Sequence, residues 1–196
     1  MIKKTVMLTI LLFYTIAAFP QDENHLEILE ADSTWVKEII KFPLSFAPEI
    51  NYEGYEDLRF AKNWRKPESP EFWTYVIAWN INLQSPPTVE MLEANLKLYY
   101  DGLMTAVNKD KDFIIPKTII SINGIKDKSL SYRGNMKVYD SFFTKEVINL
   151  NIDIETNYCE EQNKYVMLFR VSSLGFENSI WKILKEVRLI QNHCDK

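Results

Sequence analysis

The chain has 196 residues, 46% hydrophobic and 26% charged, with a formal net charge of −4. That length fits one domain with a sizeable core, and the composition excludes a disordered chain, a collagen-like repeat and a multi-span membrane protein. A mildly acidic chain lacks the field to hold a polyphosphate, and its nearest basic group, Arg59, Lys62, Arg65 and Lys66, sits among Glu56, Asp57, Glu68 and Glu71, so no nucleic-acid partner is expected.

At the start, Lys3 and Lys4 precede an uncharged run through Val6, Leu8, Ile10, Leu12 and Phe13 to Ala17 and Ala18. A basic start, an apolar stretch and a small-residue end are the parts of a secretory signal, expected over 1–20. The stretch falls short of the roughly 20 residues a spanning helix needs, so no stable membrane span is expected after cleavage. Losing Lys3 and Lys4 moves the formal charge from −4 to −6. Export places the protein in a periplasm or outside the cell. No asparagine begins an N-x-[ST] triplet, so no N-glycan is expected.

Residues 21–34 carry acids without periodicity and read as a loose entry segment, leaving 35–196 as a single domain. Trp35 to Phe42 holds β-branched Val36, Ile39 and Ile40 and is read as a strand. Tyr52 to Tyr55 reads as a turn and Leu58 to Ala61 as a short strand. From Phe72 to Leu83 the alternation is clear, with Trp73, Tyr75, Ile77 and Trp79 on one face and Phe72, Thr74, Val76 and Ala78 on the other, both apolar as in a central strand.

Thr88 opens the best helix of the chain, with Glu90 and Glu93 in its first turns and Leu92, Leu96, Tyr99, Leu103 and Val107 as its stripe. Gly102 inside it costs about 1 kcal/mol relative to alanine and implies a close neighbour. Strands then follow at Lys117–Ile122, Ser131–Tyr139, Val147–Thr156 and Lys164–Ser172, the last two joined as a hairpin. Asn178 caps a closing helix with Ile180, Ile183, Leu184, Val187 and Ile190 inward. The expected fold is α+β: a single curved antiparallel sheet of six or seven strands with two amphipathic helices on one face.

Much chemistry is excluded. The five glycines are so dispersed that the closest pair, Gly124 and Gly134, lies ten residues apart, which rules out the phosphate-cradling loops and the nucleophile elbow. The two histidines, His25 and His193, lie near the ends, so neither a Ser-His-Asp site nor a catalytic zinc is expected, and no cofactor or metal is implied. Ser179-Ile180-Trp181-Lys182 and Ser121-Ile122-Asn123 match fragments of penicillin-recognising enzymes in reversed order and without K-T-G, a coincidence. Asn149, Asn151, Asp153 and Glu155 resemble the start of a calcium loop, but Ile154 stands where the turn glycine is required.

Two constellations remain. Trp64, Phe72, Trp73, Tyr75 and Trp79, with Tyr99 and Tyr100 on the helix, form either core or a surface for a small molecule, glycan or lipid, with Arg59 nearby. Glu56 and Asp57, with Glu68 and Glu71, offer carboxylates for a glycosidase-like hydrolase, Glu56 and Glu71 being its catalytic candidates, although exposed loop acids are the commoner explanation in a chain with 27 acids. The expected function is non-catalytic ligand binding on the aromatic strand, with the hydrolase or an envelope interaction or structural role as alternatives. Cys159 and Cys194 allow one disulfide, which would pin the tail to the sheet, against the alternative of two free thiols.

The runs Phe42-Pro43-Leu44-Ser45-Phe46-Ala47-Pro48, Gly54 to Ala61 with Trp64, and Phe72-Trp73-Thr74-Tyr75 with Trp79 resemble a group of exported bacterial proteins of no assigned activity. The resemblance implies export and an uncharacterised domain, and adds no site residue.

Overall fold

The computed structural model describes residues 26–196; the signal expected over 1–20 and His25 lie outside the described residues. An antiparallel sheet of seven strands forms the body: β2 (Val36–Lys41), β3 (Gly54–Phe60), β4 (Tyr75–Ile81), β5 (Ile119–Gly124), β6 (Ser131–Tyr139), β7 (Val147–Cys159) and β8 (Lys164–Ser172). Their spatial order is β2-β3-β4-β8-β7-β6-β5, and a two-stranded sheet pairs β1 (Leu29–Glu30) with β9 (Arg188–Leu189). The chain builds three strands outward-to-centre, crosses to the far edge through helix α1 (Val89–Val107), and returns strand by strand until β8 docks beside β4. The crossing spans four strand spacings, about 19 Å, and a helix of 19 residues reaches about 28 Å, enough to cross on a diagonal.

Register sorts the side chains. Glu56 pairs with Trp79, Leu58 with Ile77 and Phe60 with Tyr75, so these share the face on which α1 lies. Here Leu92, Leu96, Tyr99, Tyr100 and Met104 pack on Trp79, Phe169 and Ile154. Thr88 Oγ1 accepts from Met91 N–H at 3.3 Å as the N-cap. A Cβ at Gly102 would lie 2.0 Å from the Phe46 carbonyl oxygen, so the glycine lets the 43–50 loop seat against the helix. Glu93 serves the sheet rather than its own helix: Ile122 N–H donates to Glu93 Oε1 and Thr118 N–H to Asp101 Oδ1, both at 2.7 Å. The outer edge of β5 is thereby engaged by carboxylates from α1, which keeps those groups from templating another strand.

The helices do not share a face. Helix α2 (Ile180–Glu186) places Ile180, Trp181 and Leu184 on Val76, Ala78, Val166 and Leu168, the residues of β4 and β8 that point away from α1. The reason is the two-sided apolar character of β4, all seven of whose residues are buried; each face needs its own cover. Helix α2 also ends before its expected length. Buried Arg170 donates from Nε to Leu184 O at 3.0 Å and from Nη2 to Val187 O at 3.3 Å, taking terminal carbonyls and turning the chain into β9. Its first turn starts as expected from Asn178, whose Oδ1 accepts from Ile180 N–H at 3.0 Å, although the cap position is Ser179.

The entry segment is not loose over its described residues 26–34. Ile28 and Leu29 are buried in the second cluster, and their N–H groups both donate to Asp57 Oδ2 at 2.9 Å. Asp57 is ion-paired with Arg59, whose Nη2 donates to Leu29 O at 3.0 Å and faces Glu27 at 3.3 Å. β3 begins at Gly54, within the expected turn, because these polar residues satisfy one another and so extend the strand.

Cys159 and Cys194 form a disulfide with Cα atoms 5.4 Å apart, across a sequence separation of 35. By loop-entropy reasoning this bond contributes about 3 to 4 kcal/mol. Replacing both cysteines by serine is expected to lower the unfolding free energy in urea by that amount; an unchanged midpoint would remove the bond's stabilising role. Arg59→Met is expected to cost about 3 to 5 kcal/mol by stranding a buried Asp57 charge, and Asp57→Asn in the same chain should restore part of the loss, measured by the same titration.

Candidate functional site

Between α1 and the β2–β3–β4 end of the sheet lies a cleft of about 650 Å³. The backbone of α1 runs nearest to β5 and β6, so the helix diverges from the other end of the sheet and leaves that space. Its floor is Ile40, Leu58, Phe60 and Tyr75; Tyr99, Leu103 and Val107 of α1 form one wall, and Phe46, Trp64, Trp73 and Phe142 arrive from loops. Phe142 is held there by a turn in which buried Asp140 accepts from the N–H groups of Phe142, Phe143 and Thr144 at 2.9 to 3.1 Å. Val36, Lys37, Glu38 and Arg65 complete the lining.

The rings form a continuous surface. Trp64 stacks on Phe60 with centroids 4.6 Å apart, Phe60 meets Tyr75 at 5.7 Å, and Trp73 meets Tyr75 at 6.0 Å. Trp73 is distinctive in two respects. Its backbone has φ 51°, in the left-handed region, which brings the neighbours Phe72 and Trp73 into the same core and costs on the order of 1 kcal/mol or more. Its indole Nε1 is buried without a hydrogen-bond partner, a donor that an apolar surrounding leaves unpaired at a cost of about 1 to 3 kcal/mol.

The expected ligand residues therefore separate. Trp64, Trp73 and Tyr75 line the cleft, while Trp79, 1% exposed, lies beneath α1 as core. Arg59 is on the opposite face, in the clasp with Asp57, and does not reach the cleft. Strand parity separates them: Glu56, Leu58 and Phe60 point one way and Asp57 and Arg59 the other. Sequence reasoning missed Glu38, Phe46 and Phe142; Glu38 could be placed only from the β2–β3 register, and the two phenylalanines are brought by loops.

The carboxylates are not assembled as a pair. Glu71 accepts from Asn63 N–H at 2.7 Å and ties its own loop, and Glu68 is exposed on that loop. Glu56 is fully buried, accepting from Trp79 Nε1 at 3.0 Å and Tyr99 Oη at 3.2 Å. Burial pushes its carboxyl up to about 8 against the pull of those two hydrogen bonds, and the nearby Glu38 charge adds to the rise. At neutral pH the cleft thus has a neutral acid behind its wall.

A carboxyl raised in the folded state keeps its proton while the unfolded chain has lost it, so its contribution to stability is complete below the ordinary carboxylate range and declines as pH rises toward 8. Glu56→Gln keeps a donor and an acceptor at the position and does not titrate. The variant is expected to gain on the parent as pH rises from 4.5 to 8, by up to about 4 kcal/mol, since each tenfold difference in proton affinity between the folded and unfolded chain is worth about 1.4 kcal/mol. Urea titrations at both pH values check this; a difference independent of pH would mean that Glu56 is charged in the fold.

Among the described residues, no helix is long and apolar enough to cross a membrane. Comparison of the chain with known protein families, with curated proteins and with solved structures finds no match.

Proposed function

We propose that this domain binds a small amphipathic molecule whose apolar body fills the cleft beside α1. The observation that carries this reading is a cleft of about 650 Å³ lined mainly by apolar and aromatic side chains, Phe46, Leu58, Phe60, Trp64 and Tyr75 among them. The volume is that of small-molecule sites, and an apolar lining with few polar groups is their usual composition. A strained backbone at Trp73 fits a site that retains geometry for a ligand.

The lining favours a lipid-like body over a glycan. A sugar brings many hydroxyls, each of which needs a partner when desolvated, and Phe46, Leu58, Phe60, Leu103 and Val107 offer none. The hydrolase alternative has less support: Glu56 lies behind Trp79 and Tyr99, and Glu71 is bonded within its loop. An exported setting belongs to the same proposal, supported by the basic-apolar start of the chain and by a disulfide, a bond that persists in oxidising compartments.

Leu103→Trp fills the cleft from a partly buried position on α1. Titration of the mature domain with the neutral fluorophore N-phenyl-1-naphthylamine is expected to show saturable binding, weakened roughly tenfold or more, about 1.4 kcal/mol, by this variant. Circular dichroism should show the fold retained. No binding, or equal binding by parent and variant, would overturn the proposal.

A further inference from the structure

Three charged residues line the cleft, and they are not equivalent. Lys37 lies on the sheet face away from α1, by its pairing with Arg59, and its Nζ is 2.5 Å from Glu27 Oε1. Arg65 is exposed at the rim with its guanidinium 5.2 Å from the Trp64 ring centroid, so its charge is already set against an aromatic face. Glu38 pairs with Leu58 across β2 and β3, which puts it on the α1 face directly over the floor. No ion pair among the described residues involves Glu38. Its field is nonetheless felt inward, at Glu56 and at the Tyr99 phenol, both buried beneath it.

A carboxylate with no ion pair among the described residues, in a cleft whose lining also includes the rings of Phe60, Trp64, Tyr75 and Tyr99, is the environment that an organic ammonium group satisfies. The ring faces attract a cation through their quadrupole, the acid supplies the counter-charge, and a weakly hydrated ammonium leaves water at little cost. An anionic headgroup meets the reverse: repulsion from Glu38 at the cleft and, for attraction among the described lining residues on that face, Arg65 at its exposed rim.

We propose that the ligand is a cationic amphiphile, with an ammonium group beside Glu38 and a hydrocarbon or aromatic body running inward toward Tyr75, Leu103 and Trp73. This rests on the cleft being a binding site, so the test separates the two claims. Three probes share one chain and differ in charge: octyltrimethylammonium, 1-octanol and octyl sulfate, each titrated calorimetrically below its micelle or solubility limit into parent, Glu38→Gln and Leu103→Trp protein.

The expected result is that the ammonium compound binds roughly tenfold tighter than octanol, and octyl sulfate no tighter than octanol. Glu38→Gln, an exposed edge-strand change, should bring the ammonium compound to the affinity of octanol and leave octanol unmoved. Leu103→Trp should weaken all binding. Equal binding of cation and alcohol to the parent, a cation preference that survives Glu38→Gln, or octyl sulfate as the tightest ligand would each overturn the assignment while leaving the cleft a binding site. Failure of all three to bind, or binding indifferent to Leu103→Trp, would remove the site and the assignment together.

Discussion

The constraint on which the structure rests is that its two middle strands are apolar on both faces. β4 and β8 stand side by side at the centre, and Ile77, Trp79, Met167 and Phe169 look one way while Val76, Ala78, Val166 and Leu168 look the other. A sheet of this kind cannot leave either side to water. One side is covered by a long crossover helix. The other is covered by short pieces, β1, α2 and β9, drawn from both ends of the described chain. Short pieces have little stability of their own, and here they are fastened by buried charges: Asp57 collects two backbone N–H groups of the incoming chain, and Arg170 collects two backbone carbonyls at the end of α2.

The cleft follows from the same covering problem. A single straight helix cannot stay close to seven twisted strands, and α1 lies nearest the half that contains β5 and β6. At the other end the space is partly filled by loops bearing large rings, Phe46 before β3, Trp64 and Trp73 before β4, and Phe142 after β6. The filling is incomplete, and the residues around the remainder include the one with left-handed backbone and an unpaired indole. Buried polar atoms without a partner also occur at Asn80, Ser141, Thr156, Arg170 and His193, but at Trp73 the unpaired atom coincides with a left-handed backbone.

Elements whose burial follows a simple period were legible from the sequence. β6 and β8 have the expected bounds, and α1 starts at the expected cap, because alternation or helical spacing alone places them. The second half of β3 was legible as Leu58 to Ala61, but its first half was not, because Gly54 and Tyr55 read as turn and Glu56 and Asp57 as exposed acids although both acids are buried with partners. The length of α2 was overestimated because its periodicity continues through Ile190, whereas the interruption comes from Arg170 on a distant strand. Assigning both helices to one face overlooked what the apolar pattern of β4 already contained. In the cleft, the aromatic candidates on β4 and its preceding loop were visible as composition, but which of them is core and which is wall depends on the path of α1 overhead, a tertiary property. The pairing of Cys159 with Cys194 likewise needed the tail's path.

The place of β8 in the sheet also bears on how the chain reaches this state. Strand β4 is the most completely buried strand, and its free side is closed only by residues 166–171, about ninety positions later. Until those residues arrive, Tyr75 to Ile81 present an unpaired apolar edge, the arrangement most prone to pairing with a neighbouring molecule. Contacts of such long sequence separation also slow folding, because the intervening chain must be ordered before the central pairing rewards it. The centre of the sheet, the strongest part of the finished molecule, is thus its most vulnerable part while the chain is incomplete.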